Sequence, residues 1–158
     1  MVIQVIAKPT SDRIVKAANP DAAFFGEKDY QQLLVIKQLA RDLDMPTQIV
    51  GCPTVREHDG LAMSSRNAYL STEERRVAAR LNIILHDTLR ELKQGEVTIA
   101  EAEAEAARHV TAAGFNAVDY VAIRDAATLQ PIATLANPAR ILAAAWIGKT
   151  RLIDNLAV

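Results

Sequence analysis

The sequence predicts an α/β fold in two parts that meet near Pro53. Before Pro53, a short apolar run, a long helical stretch and a second apolar run follow one another within about thirty residues, and this βαβ order favours a parallel sheet. After Pro53, two helical stretches precede three strand-like stretches, which is the order of a small α+β domain with antiparallel strands. Half of the 158 residues are hydrophobic, so the chain can bury the core of one domain or of two small ones.

The first part is expected to hold a helix between two short strands. DAAFFG, over residues 21–26, is a short apolar run closed by glycine and favours a buried strand. Residues 29–43 exceed the length of an ordinary strand and favour a helix, while TQIVG over residues 47–51 favours the second strand. Near the N-terminus, the β-branched VIQVIA favours a strand over residues 2–7, and SDRIVKAA favours a short helix over residues 11–18.

The second part begins with a polar stretch and continues with capped helices. PTVREHDGLAMSSRN, over residues 53–67, contains proline, glycine, serine and asparagine and favours a loop. Two pairs have the spacing of capping boxes that begin helices, Ser71 with Glu74 and Thr98 with Glu101. Gly114 is expected to end the second of these helices. Three later stretches favour strands: residues 118–124, 140–147 and 151–155.

Charge and cysteine content exclude several classes of protein. The chain has 18 basic and 19 acidic residues, so it lacks the basic excess of a nucleic-acid-binding protein. No apolar run reaches the roughly 18 residues that a membrane-spanning helix needs. The single cysteine, Cys52, cannot form an internal disulfide, which favours a cytoplasmic location.

The turn between the first strand and its helix, FGEKDYQQ at residues 25–32, is a candidate phosphate site. Ligands of parallel α/β sheets bind beyond the carboxyl ends of the strands, and the free N–H groups at a helix N-terminus favour an anion. Gly26 would let a ligand approach the backbone closely, and Lys28 would add a positive charge. The alternative is an ordinary turn in which Glu27, Lys28 and Asp29 are merely solvated.

A second candidate, DGLAMSSRN, spans residues 59–67. Ser64 and Ser65 offer hydroxyl donors, and the planar fork of Arg66 matches phosphate oxygens. A glycine-containing loop that carries such groups after a βαβ unit suits the binding of a phosphate. The alternative is a polar loop whose serines begin the next helix.

Taken together at their separation in this chain, FGEKDYQQ and DGLAMSSRN closely resemble the pantoate–β-alanine ligase family. The similarity continues through YVAIRDAATL and the closing TRLIDN. It covers residues 19–158, whereas residues 1–18 resemble the family poorly.

The resemblance implies an ATP-dependent ligase. Residues 1–54 would form the C-terminal part of a Rossmann-type nucleotide-binding domain. Residues 55–158 would form a small α+β domain that includes a phosphate-binding loop at 59–67. The family activates pantoate as an acyl adenylate and releases pyrophosphate, and the β-alanine amine then attacks to give pantothenate and AMP. ATP and Mg²⁺ are the implied cofactors, pantoate and β-alanine are the other small-molecule partners, and a homodimer is expected of the full-length family.

The resemblance also assigns roles to individual residues. The ATP-contacting turn would consist of Gly26, Glu27, Lys28 and Asp29, and Gln32 matches a pantoate-binding glutamine. Val55 matches a position near the adenine. The second phosphate-binding loop, the counterpart of the KMSKS loop of class I aminoacyl-tRNA synthetases, is matched by Met63, Ser64, Ser65 and Arg66. Lys28, Ser64 and Arg66 are expected to be catalytic because they would hold and neutralise the triphosphate as pyrophosphate leaves.

One feature of the family has no match in this sequence. The family carries an H-x-G-H-type signature near its N-terminus, and none of the three histidines (His58, His86 and His109) has that spacing. We therefore expect the chain to be the C-terminal portion of the enzyme. One alternative is a non-catalytic nucleotide-binding or oligomerisation fragment with the same fold. Another is a different nucleotidyltransferase of the same superfamily, which the match beyond the loop disfavours.

The other candidates are expected to be structural. Three aspartates are predicted to lie at strand ends: Asp119, Asp125 and Asp154. Because no metal-ligand spacing links them, we expect them to form turns and caps rather than a metal site. Trp146 is predicted to belong to the core. No metal site built by the protein alone is expected.

Overall fold

The computed structural model describes residues 2–4 and 19–158, and the chain divides into two compact units, residues 1–54 and 55–158. In the first unit the elements are β1 (Val2–Gln4), β2 (Ala22–Gly26), α1 (Tyr30–Asp42) and β3 (Gln48–Cys52). In the second unit they are α2 (Thr72–Gln94), α3 (Ile99–Ala112), β4 (Ala117–Asp125), β5 (Ala139–Ile147) and β6 (Thr150–Ala157). The helix expected over residues 11–18 lies outside the described residues.

The first unit contains the parallel sheet that the sequence predicts. Its three strands lie in the order β1-β2-β3, with all described pairs parallel. Helix α1 connects β2 to β3 and buries Leu33 and Ile36 together with Ala23 and Phe25 of β2. The helix begins later than predicted because a 3-10 turn, Glu27–Asp29, separates it from the strand.

Both predicted capping boxes are present in the second unit. The Ser71 hydroxyl accepts a hydrogen bond from the Glu74 amide at 3.2 Å, and the Glu74 carboxylate accepts one from the Ser71 amide at 2.8 Å. Thr98 and Glu101 make the same reciprocal pair at the start of α3. Gly114, with φ +108°, follows the end of α3 as predicted. Within the described part of the chain, no helix is both long and apolar enough to cross a bilayer.

The second unit closes with an antiparallel sheet in the order β4-β5-β6. A register shift between Val118 and Tyr120 interrupts the pairing of β4 with β5. One face of the sheet packs on α2 and α3, and the core between them includes Leu85, Val110 and Ile141. The last strand, β6, is therefore fixed in a packed sheet. It supplies two hydrogen-bond acceptors, the Arg151 carbonyl to Arg66 and the Asp154 carboxylate to Arg56.

Candidate functional site

The carboxyl ends of β2 and β3 meet at the first candidate segment. Gly26, the last residue of β2, pairs with Cys52, the last residue of β3. The chain then enters the 3-10 turn and α1, and among the described residues no side chain caps the first amides of either helix. The dipole of α1 favours an anion at this point.

Two glycines at this edge, Gly26 and Gly51, differ in how much space surrounds a Cβ atom placed on them. A Cβ at Gly51 would lie 3.0 Å from Leu33 Cδ2 and 3.2 Å from Glu27 Oε1, so these two side chains would have to move by a few tenths of an ångström to admit it. A Cβ at Gly26 would meet no heavy atom of the described residues within 4 Å. Gly26 also has ordinary extended dihedrals, φ −67° and ψ 131°. The fold therefore explains Gly51 but not Gly26.

Lys28 is less free than the sequence suggests. Its side chain is only 17% exposed, and Nζ lies 3.4 Å from Asp29 Oδ2. The ammonium therefore lies next to a carboxylate, a contact that is compatible with both a phosphate-binding turn and an ordinary turn. Gln32 lies half-buried in the first turn of α1.

Residues 55–63, which lead into and overlap the second candidate segment, form a short hairpin where the sequence predicts a loop. Val55 and Met63 lie opposite each other, with 2.9 Å between the Met63 amide and the Val55 carbonyl oxygen, and Arg56 pairs with Ala62. The tip is a turn in which the Gly60 amide donates to the Glu57 carbonyl at 2.9 Å. Gly60 adopts φ +85°, which favours glycine. Alternation is too short in this polar stretch to reveal the hairpin in the sequence.

Two apolar side chains are exposed at the open end of this hairpin. Val55 is 65% exposed and Met63 is 55% exposed. Because residues opposite each other in an antiparallel pair project to the same face, the two form a small apolar surface. The arrangement suits the flat face of a base. The resemblance implies a position near the adenine for Val55 and a position in the second phosphate-binding loop for Met63.

The serines and Arg66 follow directly after the hairpin. Ser64 caps a 3-10 turn, Ser65–Tyr69, and its hydroxyl oxygen accepts from the Arg66 amide at 3.2 Å. Ser64 therefore begins a short 3-10 turn, and this capping contact is compatible with both interpretations of the segment. Ser65 and Arg66 are exposed. The Arg66 guanidinium donates to the carbonyl of Arg151 on β6 at 3.2 Å, which leaves most of its fork available to a ligand.

A charged network ties the hairpin to α2. Arg75 Nη2 lies 2.7 Å from Glu57 Oε2 and 3.1 Å from Asp59 Oδ2. Buried Asn67 donates to Glu57 Oε1 at 2.8 Å and to the Ala62 carbonyl at 3.1 Å. The network therefore connects the helix, the hairpin and the turn that carries Arg66.

The carboxylates of this network have shifted pKa values. Hydrogen bonds from Arg75 and Asn67 lower the pKa of Glu57. Burial raises the pKa of Asp59, but the hydrogen bond from the Leu61 amide and the charge of Arg75 outweigh it and lower the pKa overall. The hydrogen bond to Glu57 in turn raises the pKa of Arg75. Both carboxylates therefore stay ionised at neutral pH.

A second ion pair ties the hairpin to β6. Both nitrogens of the Arg56 fork bind Asp154, at 2.7 and 2.9 Å, and Nη1 also donates to the Gly60 carbonyl at 3.0 Å. Asp154 lies inside β6 and is 4% exposed. The prediction that it sits at a strand end is therefore wrong.

Asp119 and Trp146 also differ from expectation. Asp119 lies at the bulge inside β4, where it accepts from Arg151 Nε at 2.6 Å and from the Trp146 indole at 3.0 Å. Trp146 is partly exposed rather than part of the core. Of the three aspartates, Asp125 alone ends its strand, where it accepts from the Ala127 and Thr128 amides as predicted.

The described residues offer no ready protein site for Mg²⁺. Nowhere among them do three His, Cys, Asp or Glu side chains come together as metal ligands. The two carboxylates of the hairpin, Glu57 and Asp59, are both engaged by Arg75. Mg²⁺ is commonly bound by substrate phosphates and water with few protein ligands, so we assign no residue to it and derive no step through it.

The sequence predicts the exposed residues of the second segment, but it does not predict the hydrogen bonds and ion pairs that fix the segment in place. Arg56, Glu57, Asn67 and Arg75 contact one another or their anchors across spacings of up to 98 residues. Such pairings leave no periodic signal. The charged residues of VREHD, inside a stretch expected to be a loop, are the one available hint.

Comparison with known proteins gives consistent matches. A family model described as pantoate-beta-alanine ligase matches residues 2–157, so the expectation that the resemblance begins only at residue 19 is wrong. A pantothenate synthetase of Mesorhizobium japonicum is 55% identical over 141 residues, covering 89% of this chain and 49% of that protein. That of Sphingopyxis alaskensis is 48% identical over 157 residues, covering 99% of this chain and 54% of that protein. The chain spans about half the length of the curated relatives it matches.

Solved structures show the same likeness. The crystal structure of a pantothenate synthetase from Thermus thermophilus matches with a TM-score of 0.85 and 44% identity, covering 91% of this chain and 52% of that one. A pantoate-beta-alanine ligase from Francisella tularensis, complexed with beta-gamma ATP and beta-alanine, matches with a TM-score of 0.66 and 30% identity. This second match covers 91% of this chain and 46% of that one.

Proposed function

The chain belongs to the pantoate–β-alanine ligase family, and from this premise we propose that it contributes ATP- and pantoate-binding residues to an enzyme that makes pantothenate. Pantoate and ATP would form a pantoyl adenylate with release of pyrophosphate. The β-alanine amine would then displace AMP. The ATP and β-alanine in the Francisella tularensis structure support this choice of substrates.

The observation that carries the proposal is the presentation of Ser64, Ser65 and Arg66. They follow an anchored hairpin, and the exposed Arg66 rests on the carbonyl of Arg151 through one nitrogen of its guanidinium. An arginine fork binds phosphate oxygens in a bidentate manner. Attack on the α-phosphorus needs positioning and neutralisation of charge more than covalent help. We therefore assign Arg66 and Ser64 to the leaving pyrophosphate.

The first segment would make a separate contribution to ATP binding. Gly26 leaves its backbone open, the following turn has no side-chain cap within the described residues, and Lys28 supplies a positive charge held by Asp29. These properties suit a phosphate that approaches the backbone. Glu27 is part of the same turn, and Gln32, half-buried one turn later, is assigned to pantoate.

The apolar pair of Val55 and Met63 is assigned to the adenine. A base that covers these two exposed apolar side chains would remove their surface from water, which is favourable. Mg²⁺ would arrive with the phosphates. The homodimer and the cytoplasmic location expected from the sequence stay predictions.

Titration of the purified 158-residue chain with ATP tests the proposal. We expect weak binding that Arg66→Ala reduces by about tenfold, because a charge-assisted contact is removed. Arg76→Ala, which removes an exposed arginine from α2, is the matched control and should leave the affinity unchanged. Equal affinities of the wild type and Arg66→Ala would refute the assignment of Arg66.

A further inference from the structure

Arg56 connects β6 to the tip of the hairpin. Its guanidinium binds Asp154 at 2.7 and 2.9 Å and the Gly60 carbonyl at 3.0 Å. A planar fork with three bonds fixes both the distance and the angle between its partners. The position of the hairpin tip therefore depends on Asp154.

Asp154 is a firm anchor. It is 4% exposed, and its strand pairs with β5, opposite Ala143. The Asn155 amide donates to Asp154 Oδ1 at 2.8 Å, so the backbone also fixes the carboxylate. A buried carboxylate needs its cation, because desolvation without a partner is strongly unfavourable.

The position of the hairpin determines where the residues assigned to phosphate lie. Met63, at the end of the hairpin, directly precedes Ser64 and is bonded to Val55. Asn67, on the other side of Arg66, donates to the Ala62 carbonyl at 3.1 Å. Arg66 itself rests on the carbonyl of Arg151, three residues before Asp154 on the same strand. One strand thus sets the position of both the hairpin and Arg66.

We propose that Asp154 is a positioning residue which, through Arg56, holds the hairpin so that Ser64, Ser65 and Arg66 meet phosphate oxygens together. The inference rests on the proposed function of Arg66 and extends it to residues that touch no ligand. Binding energy from several donors is realised only when their geometry is set in advance.

Glu103 provides a matched control. Its carboxylate also accepts from one arginine, Arg124 at 2.6 Å, and from one strand amide, that of Ile123 at 2.7 Å. It lies on α3, and these two partners belong to β4 rather than to the hairpin. Glu103→Gln therefore removes the same kind of charged contact without changing the contacts among Asp154, Arg56 and the hairpin.

The experiment is calorimetric titration of the full 158-residue chain with inorganic pyrophosphate. Asp154→Asn should raise the dissociation constant by about tenfold, since a displaced binding group loses much of its contribution. Glu103→Gln should change it by no more than about twofold. Arg56→Lys keeps the charge but loses the fork, so it should weaken binding as Asp154→Asn does. If Asp154→Asn does not fold, Arg56→Lys decides, and unchanged affinity in that variant overturns the proposal.

A double variant separates positioning from general destabilisation. In an Arg66→Ala background, Asp154→Asn should cause a smaller loss than in the wild type, because one of the three positioned groups is already absent and the two effects are then not additive. Full additivity would overturn the positioning role. If Arg66→Ala binds pyrophosphate as well as the wild type, the proposed function fails and this inference with it. If Arg66→Ala weakens binding but Asp154→Asn behaves like Glu103→Gln, the positioning inference alone fails.

Discussion

Arg75 on α2 binds Glu57 in the hairpin, with 2.7 Å between Nη2 and Oε2. The same nitrogen lies 3.1 Å from Asp59 Oδ2 on the other side of the turn. One cation of the second unit's longest described helix thus holds two carboxylates of the hairpin tip, and this contact helps to lower the pKa values of both.

The stability of the second unit should fall in acid. The folded-state pKa values of Glu57, Asp59 and Asp119 are lowered, so these groups stabilise the fold fully above their unfolded values of about 4. That contribution is lost as the pH falls through the lower folded values. Urea unfolding between pH 7 and acid should show the decline, and Glu57→Gln should make it shallower. Glu96→Gln, at an exposed position after α2, should not, and identical slopes in the two variants would contradict the role of Glu57.

Gly26 and Gly51 should respond differently to the same substitution. Gly51→Ala places a methyl group against Leu33 and Glu27, and we expect a loss of about 1–3 kcal/mol in unfolding free energy from overpacking. Gly26→Ala would meet no heavy atom of the described residues within 4 Å, so it should leave the melting temperature nearly unchanged while weakening ATP binding. Thermal unfolding and ATP titration of both variants check this. Normal ATP affinity in Gly26→Ala would remove Gly26 from the proposed site.

Much of the fold follows from local signals in the sequence. The capping boxes at Ser71 and Thr98 and the stop at Gly114 were predictable because each depends on residues within one or two turns. The parallel and antiparallel sheets follow from the order of the elements. The structure confirms this fold class.

The anchors of the candidate site could not be predicted in the same way. Arg56 and Asp154 are separated by 98 residues, and only the folded sheet brings them together. Asp154 occupies a position in β6 where the local pattern suggests a strand end, because a charge inside a strand is unfavourable until its partner is known. The roles proposed for Ser64, Ser65 and Arg66 come from the resemblance, since two serines and an arginine also suit an ordinary capped turn.

Arg66 should contribute to the adenylation step. The test uses a hybrid chain that joins the part of the Mesorhizobium japonicum protein that this chain does not match to the 158-residue chain. In this hybrid, Arg66→Ala should cost about 3 kcal/mol of transition-state stabilisation, on the order of a hundredfold in the rate of pyrophosphate release. Arg66→Lys should recover only part, because an ammonium cannot reproduce the fork. Unchanged pyrophosphate release in Arg66→Ala would show that Arg66 has another role.

The most direct test of the proposed function is the formation of pantothenate and AMP from ATP, Mg²⁺, pantoate and β-alanine. The 158-residue chain alone and the hybrid chain are compared under the same conditions. We predict turnover by the hybrid that exceeds that of the chain alone by about a thousandfold or more, because several pre-organised groups act together in such a site. A hybrid that folds and binds ATP without turnover would support a non-catalytic nucleotide-binding fragment and contradict the account.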